Sequence, residues 1–212
     1  MDLLNDIEAR VLATLIEKQF ATPDYYPMTQ NSIRLGANQK NNRNPVTNLT
    51  DPEVIDALDS LQRKRLVGMF HEHGARAPKY RQFLDREFRL EQGPTVLMAV
   101  MMLRGPQTLG ELKARSDSMY KFSSLQEVEN ALAILTNYAP NALATRLERQ
   151  PGEREVRYAH LLAGTPAPVL RVEEKSELEA RIEALEAEAQ SLRAEVQDLR
   201  QIITELKQAL GG

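Results

Sequence analysis

The sequence predicts an α+β, mainly helical chain, built from two tandem copies of one small unit with a coiled-coil helix behind them. Three observations carry that expectation. A short motif recurs 74 residues further on, each copy reads as helix, helix, helix, hairpin, and an apolar heptad runs unbroken over residues 178–210.

The recurring motif is Glu-Val-x-x-Ala-Leu-x-x-Leu, present as Glu53-Val54, Ala57-Leu58 and Leu61, and again as Glu127-Val128, Ala131-Leu132 and Leu135. Upstream, Pro27-Met28-Thr29 answers Pro106-Gln107-Thr108 at an offset of 79; downstream, Lys79-Tyr80 answers Arg157-Tyr158 at 78. Three matches in one order, separated by loop-sized differences, indicate a duplicated unit.

In the first copy, Ile7, Val11, Leu12, Leu15 and Ile16 recur at helical spacing, and Thr29 is an N-cap candidate for a second helix ending near Gly36. Asp51 is the expected N-cap of the third helix, with Pro52 at its first position and Val54, Leu58 and Leu61 as its stripe. Leu66–His71 and Pro78–Phe83 then read as two strands around a turn containing Gly74. The second copy places helices at about 94–104, 108–116 and 124–137 and strands near 143–149 and 155–161, around Pro151-Gly152. Three helices closed by a two-stranded wing make the winged variant of helix-turn-helix. The expected organisation is a winged-helix domain at 1–88, a second at 89–166, a linker at 167–177 and a coiled-coil helix at 178–210.

In the tail, Leu178, Ile182, Leu185, Ala189, Leu192, Val196, Leu199, Ile203, Leu206 and Leu210 alternate at intervals of four and three. Leucine holds every d position and β-branched residues dominate a, a combination that favours two parallel strands. The facing pairs Arg181 with Glu186, Glu188 with Arg193 and Glu195 with Arg200 are all attractive. The expected dimerisation residues are therefore Leu178, Ile182, Leu185, Leu192, Val196, Leu199, Ile203 and Leu206. The same stripe folded back onto the domains, or paired antiparallel, are the alternatives.

Composition narrows the chemistry. The chain has no cysteine, which excludes disulfides, thiol catalysis and cysteine-based zinc sites. No apolar run approaches the roughly 20 residues that cross a bilayer, and the N-terminus is acidic, so a soluble cytoplasmic protein without a membrane partner is expected. Residues 172–212 carry 5 cations against 10 acids, so the acidity sits in the tail, whereas 31–50 holds Arg34, Lys40 and Arg43 and no acid. His71 and His73 lie two apart on an expected strand but have no third ligand nearby in sequence, and a solvated wing is the expected reading. No phosphate loop or hydrolase motif occurs, so neither a cofactor nor an active site is expected. Met98, Met101 and Met102 read as core filling.

One segment resists a purely structural explanation. Asn38-Gln39-Lys40-Asn41-Asn42-Arg43-Asn44-Pro45-Val46-Thr47-Asn48 links the second and third helices, where three or four residues are usual. Amides and cations suit base edges and phosphates; they equally suit caps and left-handed turns.

The run Tyr25-Tyr26-Pro27-Met28-Thr29-Gln30-Asn31 followed by Asn38–Val46, together with Leu103–Leu112 and Leu147–Gly152, resembles the YceH family of uncharacterised bacterial proteins over about residues 5–162. The resemblance implies a tandem winged-helix fold from a Gram-negative bacterium and supplies no activity, cofactor or catalytic residue.

Two functions follow as expectations. The first is a non-catalytic dimeric DNA-binding protein of regulatory type. Its contacts would come from Arg34, Asn38, Gln39, Lys40, Asn42 and Arg43 of the loop region, Arg63 and Lys64 after the third helix, and Arg76, Lys79 and Arg81 of the wing. The second is a scaffold for unidentified protein partners, without nucleic acid. Fold-level analogy, with these cations, tips the expectation towards DNA through the first unit; Asp51, Glu53, Asp56 and Asp59 on the third helix have the wrong sign for phosphate.

Overall fold

The computed structural model describes residues 2–71, 77–149, 152–164 and 196–197. Among them are seven helices and five short strands, an α+β arrangement of helices with small antiparallel sheets. The described residues up to Gly164 belong to one compact unit, and Val196 and Gln197 fall outside it. The expected dimerisation residues other than Val196 lie outside the described residues; Val196 is helical and exposed.

Helix α1 (Asp6–Ala21) starts at a capping box in which Asn5 Oδ1 accepts from the Glu8 amide (2.8 Å) and the Glu8 carboxylate accepts from the Asn5 amide (2.9 Å). Every residue from Glu8 to Glu17 is buried. A short 3₁₀ turn (Pro23–Tyr25) leads to strand β1 (Met28–Thr29) and helix α2 (Gln30–Ala37), capped by Thr29 as its sequence implies. Helix α3 (Asp51–Arg63) begins one residue earlier than expected: Thr50 is the N-cap, and both its N–H and its hydroxyl donate to the Glu53 carboxylate at 2.7 Å. Asp51 is thereby a first-turn acid instead of the cap, a position the helix dipole also favours.

Strands β2 (Val67–Phe70) and β3 (Lys79–Gln82) form the hairpin. The two-residue β1, too short to show a period in the sequence, pairs with the other side of β3, giving the order β1-β3-β2. A single turn α4 (Leu84–Glu87) follows, also without a periodic signal.

The second half repeats the order: α5 (Gln92–Arg104), α6 (Leu109–Ser116), α7 (Leu125–Thr136), β4 (Ala144–Arg146) and β5 (Tyr158–His160). Its equivalent of β1 is the isolated bridge of Gln107 with Tyr158, as Met28 bridges Tyr80 in the first half. These are the residues that the repeat aligns at offsets of 79 and 78. The motif residues also match in burial: Val54 and Val128, Ala57 and Ala131, Leu58 and Leu132, Leu61 and Leu135 are all in the core. The repeated glutamate serves capping in both copies, since Glu127 accepts from the N–H and hydroxyl of Ser123 at 2.7 Å.

Helix α5 is apolar all round, and Gly93–Leu103 is buried throughout, Met98, Met101 and Met102 included. Such a helix needs neighbours on every side. It obtains them from α6, α7 and β5 of its own half and from α1 of the other, so both halves draw on one continuous core. The Leu4 amide seals the join by donating to the Leu162 carbonyl at 2.7 Å.

Candidate interaction surfaces

The long loop after α2 is built into the fold. Asn38 clamps it across its base: Nδ2 donates to the Leu49 carbonyl (2.9 Å) and Oδ1 accepts from the Leu49 amide (2.7 Å). Arg43 turns inward, with its side chain 0% exposed, and makes a forked pair with Glu17 of α1 at 3.1 and 2.6 Å. The same guanidinium donates to the carbonyls of Gly36 (2.8 Å) and Asn42 (2.9 Å). Arg10 donates to the Pro45 carbonyl at 2.8 Å, the Asn44 amide donates to the Leu103 carbonyl at 2.9 Å, and Arg104 donates to the Asn42 side chain. Burial and the charge of Arg43 both depress the basicity of Arg10. The loop thus fastens α1, the end of α2 and the end of α5 together.

This placement redistributes the expected contact residues. Arg43 and Asn38 are structural, and Arg43 is out of reach of any phosphate on the surface. Arg34 pairs with Asp51 at 2.9 Å and donates to Asn31 at 3.0 Å. Lys64 donates to Glu8 at 2.6 Å and to the Leu3 carbonyl at 2.8 Å. Burial raises the Glu8 carboxyl, but hydrogen bonds from Lys64, Ser60 and the Asn5 amide outweigh it and hold the group below its ordinary range. Gln39 accepts from Arg43 and Lys18, each at 3.3 Å, and Asn42 adopts a positive φ of 62°. Lys40 and Arg63 are exposed, Lys79 and Arg81 share the outer face of β3, and Arg76 lies outside the described residues.

The third helices present a different character. On α3, Asp56 and Asp59 face solvent beside Ile55, which is 41% exposed. On α7, Gln126, Glu129 and Asn130 are exposed beside Leu125 (49%) and Ile134 (48%). Neither described face carries a cation before its last turn.

The sequence reading missed the outer face of the first sheet. Arg81 lies over the Phe70 ring at 5.2 Å, Phe70 meets Phe83 edge-on at 6.1 Å between centroids, and Arg86 lies over Phe83 at 5.1 Å. The signal available was Gly68, a glycine inside a strand, which marks a close approach. A Cβ on Gly68 would lie 2.4 Å from the Phe83 ring.

Two of the open depressions among the described residues bear on the expected contacts. One, of about 1050 Å³, lies where the halves meet and is walled by Arg63, Lys64, Arg65, Phe88 and Tyr138. The other, of about 510 Å³, runs along Tyr25, Thr29, Leu35 and Lys79. Among the described residues, no three His, Asp or Glu side chains are grouped to hold a metal. No described helix is long and apolar enough to cross a membrane. His71 is exposed, and His73 lies outside the described residues.

An α+β chain of repeated halves around one core is the class these observations define. The pattern of a family described as a protein of unknown function, DUF480, matches residues 4–153, and the chain belongs to that family. It is 48% identical to a UPF0502 protein of Geobacter sulfurreducens over 77% of this chain and 74% of the relative. A UPF0502 protein of Geotalea daltonii is 47% identical over 77% and 74%, and one of Geobacter metallireducens is 45% identical over 85% and 87%. The expected membership of the YceH-type family holds, and the names of these relatives state no activity.

Proposed function

We propose that this chain is a non-catalytic, tandem winged-helix protein that works by binding other proteins, with its heptad tail pairing two copies as a parallel coiled coil. One observation carries the reading: three of the cations expected to meet nucleic acid in the first half are already paired with carboxylates of the chain. Arg43 is taken by Glu17, Lys64 by Glu8 and Arg34 by Asp51. What the third helices offer instead is carboxylates and amides around half-exposed Ile55, Leu125 and Ile134, a mixture suited to a protein interface.

A second reading, DNA contact by the first half, is favoured by exposed Lys40 and Arg63 and by Arg81 with Lys79 on the sheet. Fluorescence anisotropy of a labelled duplex separates the two. The expected result is no binding tighter than about 10⁻⁴ M at about 50 mM salt. Binding that falls steeply at about 200 mM salt and is lost in Lys40→Ala/Arg63→Ala would return the function to nucleic acid. Sedimentation of the full chain against a 1–172 truncation tests the tail: dimer becoming monomer supports it, and two equal monomers reject it.

A further inference from the structure

We propose that the open edge of the first sheet, strand β2, receives an extended acidic segment of a partner protein by strand addition. The inference rests on the protein-binding reading and names the chemistry of one partner.

The edge follows from the register. Leu66 and Phe83 are a hydrogen-bonded pair, the Phe83 amide donating to the Leu66 carbonyl at 2.8 Å, so alternation makes Gly68 with Arg81 and Phe70 with Lys79 the next such pairs. Val67 and Met69 must then direct their N–H and C=O groups away from β3; Val67 is only 3% exposed, so Met69 presents the accessible pair. The opposite side of β3 obeys the same alternation, because the Gln82 amide donates to the Tyr26 hydroxyl at 2.7 Å. In the order β1-β3-β2, no described strand lies beyond β2.

Natural sheets protect such an edge with lysine, proline, brevity or a bulge. The other edge of this sheet is protected: β1 is two residues long and follows Pro27. Strand β2 is Val-Gly-Met-Phe, with neither charge nor proline, and Met69 and Phe70 are 45% and 38% exposed. An unprotected apolar edge is what strand addition uses, with backbone pairing giving affinity and side-chain sites giving selectivity.

The selectivity is positive. Because Gly68 has no side chain, Phe83 covers that position on the outer face, and the two guanidiniums stack on the two rings to either side of it. Stacking engages the face of a guanidinium and leaves its in-plane donors for a carboxylate. The Arg81 Nε is buried without a hydrogen-bond partner among the described residues. A strand laid along β2 would bring alternate side chains beside Phe70 and Phe83, where carboxylates meet Arg81 and Arg86. A second copy of the same edge is a poor occupant, since it would bring like charges together. A DNA backbone offers acceptors alone and leaves the outward carbonyl of Met69 without a donor, whereas a strand supplies both.

The test uses the full chain and two labelled hexapeptides, alternating Glu-Val and alternating Lys-Val. The acidic peptide is expected to bind, and the lysine peptide to bind at least roughly tenfold more weakly. Binding should weaken roughly tenfold in Arg81→Ala/Arg86→Ala. It should vanish in Met69→Pro, which removes an outward donor and keeps the β2–β3 ladder, as circular dichroism would check. Amide exchange at Met69 should slow in the complex. Equal binding of both peptides, no binding of the acidic one, full binding by Met69→Pro, or duplex binding that depends on Arg81 would each overturn strand addition. Failure here leaves the third-helix faces untouched as protein sites, so the two proposals fail separately.

Discussion

Replacing Arg43 by methionine is the perturbation that separates a structural role for the long loop from a surface role. In the folded chain the arginine is fully enclosed and forked onto Glu17, itself only 6% exposed, at 3.1 and 2.6 Å. Removing one partner of such a pair leaves a buried carboxylate without its counter-charge, at a cost of about 3–5 kcal/mol. The Gly36 and Asn42 carbonyls lose a donor as well, at about 1 kcal/mol or more each where no water enters. Lys18, 3.5 Å from Glu17, offsets part of the loss and moves the total towards the lower end, about 3 kcal/mol. With a urea slope of about 2 kcal/mol/M, the midpoint should fall by about 1.5 M. The assay is urea unfolding at pH 7 followed by circular dichroism. The companion variant Glu17→Leu/Arg43→Met should recover most of the loss, because an apolar pair of similar volume replaces a desolvated ion pair at little cost. A single variant costing under about 1 kcal/mol, or two single effects that simply add in the double, would refute a buried, coupled pair.

Gly68→Ala forces a methyl to within 2.4 Å of the Phe83 ring and should cost about 1–3 kcal/mol, with Phe83→Leu in the same chain recovering part of it; thermal melts of the two variants and the parent chain measure this. Burial holds the pKa of His160 down at about 4 against an ordinary 6.5, so between those values it stays neutral in the folded chain while the unfolded chain takes up the proton. Its contribution is complete above pH 6.5 and is lost as the pH falls towards 4, roughly 2–3 kcal/mol by pH 4.5. Urea midpoints at pH 7 and 4.5 should converge in His160→Gln relative to the parent chain, and an unchanged gap would refute the assignment.

The parts of the fold that were legible in the sequence are those encoded locally. The duplicated stripe ending in Leu61 and Leu135, the Thr29 cap and both hairpins depend on residues within a turn or two of one another, and the structure places them as read. What could not be read depends on distant partners. The charge of Arg43 looks available until Glu17, 26 residues away, is seen to take it. Glu8 and Glu17 of α1 are buried with partners, Lys64 and Arg43, that lie 56 and 26 residues away in the chain. The cap of α3 fell one residue early because Thr50 and Asp51 are both good caps, and only the Glu53 bonds decide between them. The Arg81, Phe70, Phe83 and Arg86 ladder joins two strands and a turn, with the glycine of β2 as its one local trace.

The most direct measurement is site-specific crosslinking in living cells of the native host, with a photo-reactive amino acid placed in turn at position 55 on α3 and position 134 on α7. Both side chains are exposed apolar points on third helices, so the probe leaves the core intact. Nuclease-resistant adducts to a defined protein at one or both positions are the predicted result. Adducts at both positions that disappear on nuclease treatment would contradict a protein-binding module and assign these faces to nucleic acid.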